Sequence, residues 1–142
     1  MPRPANASTD EILAQVLRLI AEHDIPGVSV NMIAEATRVS KSTIYSRWSS
    51  KEHLIFDAIE HMAMPDEIPD TGDVADDLKL VLQNLNAFLN DPEVGRVFAA
   101  FLNAALRNPD LAGYRRKLTA RAVVPFEEVI ERGVQKGQIR LA

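Results

Sequence analysis

The sequence predicts an all-α protein, and three observations carry that reading. Apolar residues recur at intervals of three and four through nearly every segment, no segment keeps the alternation of a strand, and capping patterns stand at the heads of the periodic stretches. A length of 142 residues suits one compact domain, or a small domain joined to part of a second. Hydrophobic residues at 46% and charged residues at 25% are a globular balance, not a disordered one. The absence of cysteine excludes disulfides, thiolate metal sites and cysteine nucleophiles.

The elements follow in order. "STDEILAQVLRLIAEHD" opens with Ser8 three residues before Glu11, a capping box, then places Ile12, Leu13, Val16, Leu17 and Ile20 on one face. "IPG" at 25–27 stops that helix. "VNMIAEAT" gives a short second helix with Ile33 and Ala34 inward, and "SKSTIYSRW" a third with Ile44 and Trp48 four apart. Ser49 and Glu52 read as a capping box for the fourth, which runs through Leu54, Ile55, Ala58, Ile59 and Met62. "MPDEIPDTGD" (64–73) is the clearest break, separating an N-terminal unit (8–63) from a second helical unit (73–142). A fifth helix carries Val74, Leu78, Val81, Leu82, Leu85 and Leu89. Asp91 as N-cap and Pro92 at the first position start a sixth, with Val94, Val97, Phe98, Phe101, Leu102 and Ala105. A seventh runs from Pro109 to about Lys136, and Pro125 is expected to kink or split it.

One block stands apart chemically. From Ala36 to Lys51 the chain gathers Arg38, Lys41, Arg47 and Lys51 with no acid among them, although its net charge is −4. Serines, threonines and Tyr45 add hydrogen-bond donors. That is a surface composed to meet an anion. The spacing says which: a short helix, a three-residue turn and a second short helix over 29–48 is the helix-turn-helix pattern. Ala34 is small where the helices approach, Val39 plugs the turn, Ser40 caps the second helix, and Ile44 and Trp48 anchor it inward. Lys41, Ser42, Thr43, Tyr45, Ser46 and Arg47 remain on or near its outer surface. The expected role is a recognition helix in a major groove, with Tyr45 and Lys51 on the phosphate backbone.

At these residues the sequence resembles the tetracycline-repressor (TetR) family of bacterial transcriptional regulators. "GVSVNMIAEATRVSKSTIYSRWSSKEHLI" is similar to that family's signature at Ile33-Ala34, Val39-Ser40, Thr43-Ile44-Tyr45, Trp48 and Lys51-Glu52. The resemblance covers about residues 8–62. It implies a dimeric repressor of a palindromic operator on double-stranded DNA, released when an unidentified small-molecule inducer reshapes the second unit and moves helix four. Two departures stand out. The family has Ala-Gly where this chain has Thr37-Arg38; a left-handed residue there suits glycine, so Arg38 costs roughly 1 kcal/mol, which a phosphate contact would offset. The family also continues through two long helices that build the dimer interface. The resemblance thus implies a homodimer, whereas the shortness of the chain argues against one formed by these residues by themselves, and leaves Leu82, Leu85, Phe101 and Leu102 on an uncovered apolar face.

The DNA-binding set expected is therefore Arg38, Lys41, Ser42, Thr43, Tyr45, Arg47 and Lys51. Which residues hold the inducer is unknown from sequence; Phe88, Phe98, Phe101, Tyr114 and Phe126 are candidates beside the plainer role of core aromatics. His23, His53 and His61 form no compact ligand set, so no metal is expected. Arg3 in "MPRP" is a candidate minor-groove arm beside the plainer role of a disordered end. Neither phosphate-loop glycines, nor HExxH, nor an elbow serine occurs. An enzyme is not expected, nor a cofactor. No apolar run reaches the ~18 residues of a membrane span and the start lacks a signal-peptide core, which places the expected protein in the cytoplasm. The alternative reading is a helical protein-interaction module that has lost specific DNA binding through truncation.

Overall fold

The computed structural model describes residues 7–62 and 67–142, so Arg3 lies outside the described residues. Within them the chain forms seven helices and no strand: α1 (Thr9–His23), α2 (Val30–Thr37), α3 (Lys41–Arg47), α4 (Lys51–His61), α5 (Val74–Asn90), α6 (Pro92–Ala105) and α7 (Pro109–Gln135).

Local chemistry sets the helix ends. The expected box heads α1: Ser8 Oγ accepts from the Glu11 N–H at 3.2 Å, and Glu11 Oε2 accepts from the Ser8 N–H at 2.7 Å. The chain leaves α1 through Asp24 at φ 62°, whose carboxylate takes the Ile25 N–H at 2.7 Å. A Cβ on Gly27 would stand 2.4 Å from the His23 carbonyl oxygen, so only glycine lets the chain turn so closely. The start of α4 differs from expectation. Ser50, not Ser49, is its N-cap, accepting from the His53 N–H at 3.1 Å. The N–H of Ser49 is drawn instead to the His53 ring, 3.3 Å away at Nδ1. Asp91 and Pro92 open α6 as the pattern requires.

Pro125 does not split α7. Leu111, Leu118 and Ala122 before it, and Phe126, Val129 and Gly133 after it, sit at helical spacing on the buried or half-buried side of α7. That continuous face holds both halves as one helix despite the lost donor.

The core starts in the N-terminal unit. Ile12, Val16 and Ile20 of α1 meet Ile33, Ile44, Trp48, Leu54, Ile55 and Ala58. It continues without a gap into Val97, Phe101 and Ala105 of α6 and Leu111 of α7. Helix α1 packs on α4, α2 and α6, and α4 also packs on α7, so the second bundle braces the first. Leu82 and Leu102 are exposed as expected, whereas Phe101 is fully buried. The row Val97–Phe101–Ala105 turns inward at intervals of four, carrying Phe101 into the core.

The last turn of α7 is tied to the first of α5. Gly137, at φ 72°, closes a Schellman motif in which the Gln138 N–H donates to Gly133 O at 2.8 Å. Gln138 then reaches across: its Oε1 accepts from the Val74 N–H at 2.8 Å and its Nε2 donates to Gly72 O at 2.6 Å. Beside it, buried Asp77 accepts from the Thr71 N–H and hydroxyl, both at 2.7 Å.

Candidate nucleic-acid interface

Helix α3 is short, and its two ends are fixed differently. Ser40 Oγ accepts from the Thr43 N–H at 3.1 Å and lies 3.1 Å from Ser42 Oγ and 2.8 Å from Thr43 Oγ1. Three hydroxyls thus gather at the N-terminal cap. At the other end Trp48 leaves the helix in an extended conformation and is 2% exposed; Ile44, one turn earlier, is 1% exposed. Burying side chains of this size stabilises by roughly 1.5–3 kcal/mol each. The helix is pinned by one face and lies on the surface by the other.

The outer face carries the expected set. Lys41, Ser42, Tyr45, Ser46 and Arg47 are exposed, Tyr45 at 50%, and Thr43 is half-buried at the cap. Arg38 is the C-cap of α2 at φ 54°, ψ 31°, the left-handed conformation that glycine favours, and is exposed at the turn. Its neighbour Thr37 is buried, with its hydroxyl donated to Ile33 O at 2.7 Å. Val39 is buried beneath the turn. Arg47 leans toward the start of α1, with Nη1 3.5 Å from Ala7 O and 3.4 Å from Thr9 Oγ1. Lys51, half-buried as the first residue of α4, lines a crevice with Asp24, Ile25 and Arg107 between the two bundles. The geometry therefore brings Arg38, Lys41, Ser42 and Tyr45 out around one short helix, while Arg47 and Lys51 lie toward its flanks.

One pairing of the site escaped the sequence reading. The Trp48 indole Nε1–H donates to Asp57 Oδ2 at 2.8 Å, joining the end of α3 to the middle of α4. No periodicity links residues 48 and 57. The only advance signal was that a buried tryptophan needs an acceptor.

A second feature lies behind the interface. A cavity of about 310 Å³ opens among α4, α5, α6 and α7, lined by Phe88, Phe98 and Phe101 of the aromatic candidates together with Leu85, Leu118 and others. Tyr114 lies elsewhere, stacked on Phe56 at 4.6 Å between ring centroids, and Phe126 lines a smaller cleft with Val81 and Pro125.

A short helix held from beneath and presented at its N-terminal end beside a tight turn has the form of a helix-turn-helix reader, because a major groove admits one α-helix. Comparison with known proteins agrees. The profile described as "Bacterial regulatory proteins, tetR family" matches residues 12–58, and "Tetracyclin repressor-like, C-terminal domain" matches 68–142. The uncharacterised HTH-type transcriptional regulator YdeS of Bacillus subtilis is 34% identical over 97% of this chain and 71% of its own length. The HTH-type transcriptional regulator AqdR of Rhodococcus erythropolis is 27% identical over 92% of this chain and 63% of its own. Among solved structures, the TetR family transcription regulator SCO0332 superposes with a TM-score of 0.66 at 30% identity, covering 92% of this chain and 72% of that one. The chain belongs to the TetR family and is a DNA-binding transcriptional regulator. None of the described helices is long and apolar enough to cross a membrane.

Proposed function

We propose that this protein is a cytoplasmic repressor that binds a palindromic operator as a homodimer and leaves it when a small molecule enters the second bundle. The observation that carries this reading is the one-sidedness of α3: Ile44 and Trp48 are locked inward while an acid-free face from Arg38 to Lys51 is turned out. In this reading Lys41, Ser42 and Thr43 meet base edges at the N-terminal end of α3. Tyr45, Lys51, Arg38 and Arg47 meet phosphates, and the free N–H groups at the head of α4 add to the phosphate contact. The domains act as a reader at 8–63 and a regulatory bundle at 73–142, with the cavity as the effector site.

Selection of bound duplexes from a random pool tests it. The expected product is an inverted repeat with half-sites about one helical turn, ~34 Å, apart. Enrichment of a single undivided motif, or of none, would refute the dimeric operator reading.

A further inference from the structure

We infer that the 310 Å³ cavity takes an apolar carboxylate, and that the ligand's carboxylate acts by displacing Glu60 from Arg121. This rests on the cavity being the effector site, and it names the ligand class and the trigger.

The cavity is at the lower end of the range for small-molecule sites, roughly 300–1,000 Å³. Its walls are aliphatic and aromatic except for Glu60, Arg115, Thr119 and Arg121. The charged groups come from α4 and α7 alone, and two guanidiniums face one carboxylate. An entering molecule therefore finds an apolar body site with a surplus positive charge at one wall. A guanidinium fork matches a carboxylate in two parallel hydrogen bonds, an arrangement a neutral hydroxyl cannot make and an ammonium opposes.

Arg121 already holds a carboxylate. Its Nη1 lies 3.2 Å from Glu60 Oε1, and this ion pair bridges α7 to the last turn of α4. Both partners are partly exposed, so the pair is weak enough to be exchanged for a better-placed anion. Glu60 stands three residues beyond Asp57, one turn along the same helix, and Asp57 holds the Trp48 indole at the end of α3. With Glu60 freed, the last turn of α4 is held beside α7 by the apolar packing of Ile59 and Met62 alone, and a ligand body wedged against these two residues shifts that turn, carrying the Asp57–Trp48 link and α3 with it. The chain has one tryptophan, so Trp48 emission reports that motion directly.

The experiment titrates the full chain with octanoate, octan-1-ol and octylamine by calorimetry, while following Trp48 emission and affinity for DNA. Octanoate is expected to bind about tenfold tighter than the alcohol, as one charge-assisted hydrogen-bonded pair provides, and the amine weakest. Arg121→Met should erase the preference and Glu60→Gln should tighten octanoate, since the competing carboxylate is gone; Arg115→Met carries the first test if Arg121→Met does not fold. Saturating octanoate should shift Trp48 emission and weaken DNA binding. Equal affinities for acid and alcohol would overturn the carboxylate class while leaving the cavity as effector site. Preferred octanoate binding with unmoved Trp48 emission would overturn the trigger. Binding of none of the three, by a chain that still binds DNA, would overturn both this inference and the assignment of the cavity.

Discussion

Trp48 Nε1 and Asp57 Oδ2, 2.8 Å apart, form the one side-chain link between the end of the reader helix and the middle of α4 among the described hydrogen bonds. The indole is 2% exposed and its N–H turns to the half-buried Asp57 carboxylate rather than to bulk water. Asp57→Ala leaves that donor unpaired and is expected to destabilise the protein by about 1–3 kcal/mol. Asp57→Asn keeps an acceptor oxygen and should lose less. Urea midpoints of the two variants decide it: equal losses would show that the hydrogen bond is not what holds Trp48. Trp48→Ala removes the packing as well and should lose roughly 3–5 kcal/mol.

Arg38 gives two effects of opposite sign. Its φ of 54° is left-handed, a conformation that costs a residue with a Cβ about 1 kcal/mol. Arg38→Gly should therefore raise thermal stability by about that amount. The same change removes an exposed charge from the turn, and should lower the slope of log affinity against log salt by about one unit. Higher stability with an unaltered slope would leave Arg38 as a strained cap without a phosphate partner.

Lys51 separates backbone holding from sequence reading. As the first residue of α4 it stands where helix N–H groups and an ammonium can share one phosphate. Lys51→Ala is expected to weaken operator and random duplexes alike, with the salt slope reduced by about one unit. Loss confined to the operator would move Lys51 from phosphate to base contact.

The reader was legible in the sequence because its constraints are local. A cap at Ser40, a plug at Val39 and anchors at Ile44 and Trp48 lie within ten residues, and each is required by helix geometry or by burial. The start of α4 was misplaced by one residue because Ser49 and Ser50 both fit a capping position. The choice fell to the His53 ring, which takes the Ser49 N–H. The cap pattern alone carries no information about that ring. The chemistry of Pro125 predicts a kink or a split in α7; the helix is not split, because the packed face from Leu111 to Gly133 outweighs one lost hydrogen bond. The Trp48–Asp57 and Glu60–Arg121 pairs were invisible for a plainer reason. They join residues that only the tertiary fold brings together.

Asp77 makes acid stability a test of the α5–α7 junction. Thr71 donates its backbone N–H and its hydroxyl to Asp77, and Arg132 and Lys136 add positive charge; together they outweigh desolvation and hold the carboxyl below its ordinary value of 3.8. A folded pKa below the unfolded one means that the unfolded chain binds the proton more tightly. The stabilisation is therefore fully present well above pH 3.8 and is lost as pH falls through 3.8 toward the lower folded value. Urea midpoints measured down through that window should fall more steeply for the native protein than for Asp77→Asn. Parallel profiles would exclude Asp77 as a source of acid sensitivity.

Gly133 is where α7 closes on α5. It is buried, and a Cβ placed on it would stand 2.7 Å from Val74 Cγ2 and 3.0 Å from Ile139 Cδ1. Its φ is helical, so alanine is favoured there by propensity by roughly 1 kcal/mol. Crowding opposes that gain. Val74 is fixed by the Gln138 side chain at its N–H and is β-branched, so it has little freedom to give way. Overpacking in such a place costs typically 1–3 kcal/mol, and the balance falls on the destabilising side. Gly133→Ala should thus lower the melting temperature, and Gly133→Ala with Val74→Ala should recover much of the loss by clearing the nearer contact. A single variant that melts at or above the native temperature would show that Val74 yields, and that the junction is looser than the interhelical contacts imply.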